Sequence, residues 1–83
     1  MDRLKICMDS LRLLARQSLS DVNCVPLAEL RINKYLQTES ATPRSSLGRL
    51  CVAIEREAEP FRGTNHFWIV VQEFVRSRES RGD

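Results

Sequence analysis

The side chains best equipped for chemistry in this sequence are one histidine, His66, three cysteines, Cys7, Cys24 and Cys51, and a set of scattered arginines. His66 as a general base would need a nucleophile at a recognisable spacing, and the sequence offers none. The cysteines are not paired as Cys-x-x-Cys. A closed zinc site would need all three plus His66, each ligand drawn singly from a distant place. Three small buried hydrophobes in a reducing cytosol are the simpler account. Glu55, Glu57 and Glu59 alternate in sequence, so on a helix they diverge and do not converge on one site. There is no phosphate loop and no dinucleotide fingerprint. These features predict a protein that is not an enzyme, with no cofactor and no metal.

The arginines are the more informative group. Thr42 to Ala58 predicts an amphipathic helix, with Thr42 as the N-cap hydroxyl and Pro43 at the first turn. Leu47, Leu50, Cys51, Ile54 and Ala58 mark its buried stripe at spacings of three and four. At 100° per residue, Thr42, Ser45, Arg49, Val52 and Arg56 project opposite that stripe, with Arg44 at the edge. No acidic residue falls in this arc. Arginine grips a guanine edge or a phosphate with two parallel hydrogen bonds, and the hydroxyls reach phosphates or bases. Gly48 leaves room for a backbone or base to approach closely. The same face, with Val52 at its centre, also suits a protein partner.

The remaining elements must position this helix. Asp2 to Gln17 predicts a first helix, with Leu4, Cys7, Met8, Leu11, Leu14 and Ala15 on one face and Ile6 and Leu13 projecting from the other. Ser18 to Asn23 reads as a loop. Pro26 to Gln37 predicts a second helix whose apolar residues, Leu27, Leu30, Ile32, Tyr35 and Leu36, spread so widely that neighbours are expected to cover it. Pro60 is expected to end the third helix. The run Phe67-Trp68-Ile69-Val70-Val71 favours a strand over His66 to Val71 and a short helix from Gln72. The same residues also share a helical face with Phe74 and Val75, with Thr64 as a candidate cap.

Val25 to Leu30, then Tyr35-Leu36, then Ala41 to Arg56 with Ser45-Ser46-Leu47, Leu50 and Ile54-Glu55, resembles the core of a winged helix-turn-helix protein. The resemblance covers roughly residues 3 to 71. It implies an α+β, mostly helical fold of three helices and a small β-hairpin wing. Glu57 to Phe61 would be the first wing strand, Arg62 to Asn65 the tip, and Cys24-Val25 a short strand paired with the second. The implied activity is a small DNA-binding transcriptional regulator reading the major groove with helix 42–58. The implied contacts are Thr42, Arg44, Ser45, Arg49, Arg56, Arg62, Thr64 and Asn65, on double-stranded DNA and as a homodimer. An all-α four-helix domain acting as an adaptor, inhibitor or anti-activator, without DNA contact, is the alternative; Ile6, Leu13 and Val52 motivate it.

Composition limits these choices without deciding between them. With 83 residues the chain is one small domain, expected over 1–78 with a tail at 79–83. A hydrophobic fraction of 42% and a charged fraction of 29% argue against disorder. The net charge of +2 is too small to demand a nucleic acid. Charges interrupt the N-terminus, and no apolar run approaches the roughly 20 residues a membrane span needs, so a cytoplasmic location off the membrane is expected. The terminal Arg81-Gly82-Asp83 reads as a frayed tail.

Overall fold

The computed structural model of the protein describes residues 2–18, 23–38, 43–61 and 64–80. These residues form α1 (Arg3–Gln17), α2 (Cys24–Thr38), α3 (Pro43–Ala58), a 3-10 turn (Glu59–Phe61) and α4 (His66–Ser80). No strand occurs among them. The domain is therefore all-α, which overturns the α+β winged-helix expectation and its β-hairpin wing.

Local chemistry explains where each helix starts. Asp2 is extended and its carboxylate accepts from the Lys5 backbone N–H at 3.1 Å, which caps α1. At the other end the Ser18 N–H closes on Leu14 O at 2.9 Å. Asn65 caps α4, its Oδ1 accepting from the Trp68 N–H at 3.2 Å. Thr64, the candidate cap from sequence, instead donates its hydroxyl to Phe61 O at 2.5 Å and closes the turn that precedes the helix.

α1 packs chiefly against α2 and α3 chiefly against α4, giving two helical hairpins joined mainly through α2 and α4. All four helices feed one core. Leu11, Ile32, Leu50, Ile54, Phe67, Val71 and Val75 are fully buried. Phe67 and Trp68 meet edge to face with centroids 5.3 Å apart, a favoured aromatic geometry. Polar clamps then link helices at the surface. Arg12 Nε donates to Glu57 Oε1 at 2.8 Å across α1 and α3, Arg76 faces Glu55 at 3.7 Å across α3 and α4, and Arg78 donates to Asn33 across α2 and α4.

Three sequence expectations fail for identifiable reasons. His66 to Val71 is helix because its apolar residues face α2 and α3 at helical spacing; Phe67, Val71 and Val75 are buried, and this packing outweighs the strand preference of Ile69, Val70 and Val71. Cys24-Val25 is the first turn of α2 and pairs with no strand. Glu57 lies in the last turn of α3, which ends at Ala58, and Glu59 to Phe61 continue the chain as a 3-10 turn in place of the first wing strand, so Pro60 sits in a tightened helical extension.

Candidate functional site

The outward face of α3 stands as the sequence pattern describes it. Leu47, Leu50, Cys51, Ile54 and Ala58 are buried, which turns Arg49, Val52 and Arg56 outward, all exposed. These three form a shallow groove with Gly48, Ala53 and Leu4 of α1. Among the described residues no carboxylate lines it. Neither Arg49 nor Arg56 has an ion-pair partner among the described residues. Arg12 and Arg76, by contrast, are already committed to carboxylates, Arg12 to both Asp9 and Glu57 at 2.8 Å.

Of the other expected contacts, only Thr64 and Asn65 lie wholly within the described residues. Thr42 and Arg62 lie outside the described residues, as do the side chains of Arg44 and Ser45. Thr64 and Asn65 are spent on the turn and cap before α4. Asn65 lines a different depression, with Arg12, Arg16, Glu57, Phe61 and Trp68. What the structure brings together is the Arg49–Val52–Arg56 arc, and the hairpin that would have extended it towards DNA is replaced by α4.

A second surface was anticipated only in part, through Ile6 and Leu13, whereas Leu27 and Leu30 were expected to be covered. Ile6, Leu13, Leu27 and Leu30 are each between 42% and 64% exposed, and all belong to the α1/α2 hairpin. Ile6 lies in a groove of about 310 Å³ with Arg3, Cys7, Ser10, Arg31, Lys34 and Tyr35. The helices run antiparallel, and this groove places Ile6 and Ser10 beside Arg31 and Lys34. Leu13, one heptad beyond Ile6, therefore falls level with Leu27, one heptad before Lys34. The hairpin thus carries four exposed apolar side chains, with Ile6 in a groove that Arg31 and Lys34 border. The sequence signal was present: Cys24, Ala28, Ile32 and Tyr35 form a complete buried stripe, leaving Leu27 and Leu30 off it.

The potential nucleophiles are disarmed. All three thiols are buried and none forms a disulfide. Burial pushes Cys7 up from 9.0 to about 11, partly offset by the nearby Arg31 charge. Burial, then the nearby Glu79 carboxylate, pushes Cys51 up to about 11. Such thiols stay protonated near neutral pH and are poor nucleophiles or metal ligands. His66 is exposed at the start of α4. Among the described residues no three His, Cys, Asp or Glu side chains gather to hold a metal, and no helix is long and apolar enough to cross a membrane.

No family model matches the chain, and no curated protein or solved structure is detectably similar to it.

Proposed function

We propose that this chain is a helical protein–protein interaction module whose α1/α2 hairpin docks an apolar, carboxylate-flanked helix of a partner protein. The observation that carries this is the set of Ile6, Leu13, Leu27 and Leu30, exposed on one hairpin beside the Arg31 and Lys34 cations. One exposed apolar residue is ordinary, but four on a single hairpin beside cationic side chains have the composition of a docking surface. A groove between two helices suits a third helix laid into it. At about 310 Å³ the groove sits at the low end for a small-molecule site, roughly 300–1,000 Å³. A twofold contact with a second copy would bring the Arg31 and Lys34 cations of both copies into one interface, whereas carboxylates on a partner would neutralise them.

The test is fluorescence anisotropy with a labelled 18-residue helical peptide bearing leucines on one face and glutamates beside them. With Arg49→Gln/Arg56→Gln present in both proteins to silence the α3 face, binding should be at least tenfold weaker when Leu13→Asp/Leu30→Asp is added, with an unchanged helical circular-dichroism spectrum. Equal affinity for both proteins, or sedimentation showing that these apolar residues are covered by a second copy, would remove the reading.

Duplex DNA is the second reading, favoured by Arg49 and Arg56, which share one helix face and have no ion-pair partner among the described residues. Its support is narrower than the sequence implied, because α3 packs on α4 more than on α2 and no wing flanks it. Phosphate contacts would make binding of a duplex fall steeply with salt. No binding at 50 mM salt excludes this reading.

A further inference from the structure

We infer that the outward face of α3 is a second, separate docking surface, and that its occupant is an acidic α-helix of a partner protein. Charge complementarity is the first support. Arg49 and Arg56 are exposed, and among the described residues they have no ion-pair partner and no carboxylate lines their groove. Glu55 on the flank is turned to Arg76 at 3.7 Å. The two arginines are seven residues apart on one face, so they are spaced about 10 Å along the axis. Carboxylates on successive turns of a crossing helix can meet both.

Gly48 is the second support. Glycine inside a helix is less favourable than alanine, so it calls for a reason. Close packing within the domain is not the reason, because a Cβ at Gly48 would meet no atom within 4 Å. No left-handed backbone demands it, since it lies mid-helix in α3. Gly48 instead opens a hollow beside Val52, which is 49% exposed, in the groove that the two arginines border. An apolar side chain from an approaching helix fits there, with Val52, Ala53 and Leu4 as its floor. The apolar floor favours a protein over a nucleic acid, because a phosphate backbone gains nothing from Val52 or Leu4.

The inference is independent of the hairpin reading, since the grooves share no residue and lie on different flanks of α1. Together the two surfaces would let the domain bridge two acidic segments.

The test keeps the two readings apart by using protein that carries Leu13→Asp/Leu30→Asp. The same leucine- and glutamate-bearing peptide, and separately a 20-base-pair duplex, are titrated into this ¹⁵N-labelled protein. The expected result is that the peptide shifts the amides of Arg49, Val52 and Arg56. Adding Gly48→Ala should then weaken the peptide at least fivefold while raising Tm by about 4–8 °C. Arg49→Gln/Arg56→Gln should weaken it similarly without changing Tm. Shifts produced by the duplex and not the peptide would overturn the inference in favour of DNA. Absent shifts, or a Gly48→Ala protein that is more stable and binds equally well, would overturn it outright.

Discussion

Single residues in this domain divide into those that packing holds and those that packing leaves over. Cys7 and Cys51 belong to the first kind. Each has its folded pKa raised from 9.0 to about 11, so the folded state keeps its proton when the unfolded chain has lost it. Their contribution to stability is fully present below pH 9 and is lost as pH rises from 9 to about 11. Thermal melts should therefore show Tm level from pH 7 to 9 and falling by pH 10.5, with a smaller fall in Cys7→Ala/Cys51→Ala. Rapid alkylation of both thiols in folded protein at pH 8 would contradict the account. Gly48 belongs to the second kind. Replacing it with alanine should stabilise the isolated domain by up to about 1 kcal/mol, seen as a higher midpoint in urea. Arg12 is intermediate: it makes good hydrogen bonds to Glu57 and Asp9, yet all three groups are solvated. Arg12→Ala should cost less than about 1 kcal/mol and should cost still less at 1 M salt.

The four helices differ in how much of themselves the sequence revealed. α3 was legible almost to the residue because proline and an unbroken three-and-four stripe agree, and its buried face is the expected one. α1 was legible for the same reason, with Asp2 just before its first turn. α4 was not, because Ile69, Val70 and Val71 are β-branched and a short apolar run carries no period of its own. Only contact with α2 and α3 decides it, and that contact is long-range. α2 misled in another way. Its apolar residues go all round, which suggested full cover, but cover depends on neighbours that a single helix cannot name. The wing failed with α4, and the expected DNA contacts Thr64 and Asn65 turned out to be the turn and cap that start that helix. Helix packing also ranks the core. Leu50 and Ile54 sit where α3 meets the rest, so Leu50→Ala should cost about 2–5 kcal/mol and Val52→Ala, two residues from Leu50 on the outer face, well under 1 kcal/mol, by chemical denaturation. Equal losses at the two positions would mean that α3 is oriented differently.

At the scale of the whole molecule, two hairpins close one core and leave two cationic, apolar-floored grooves on different flanks of α1. A small domain gains little stability from exposing Ile6, Leu13, Leu27 and Leu30 to water, so their placement on one hairpin is best explained by what covers them. The net charge of +2 concealed this, because several basic residues are spent on internal clamps while Arg31, Lys34, Arg49 and Arg56 remain on the grooves. The central claim is that the α1/α2 hairpin is the docking face. Peptide anisotropy on Arg49→Gln/Arg56→Gln protein with and without Leu13→Asp/Leu30→Asp tests it most directly. The account predicts at least a tenfold loss of affinity with helix content intact, and equal affinities would contradict it.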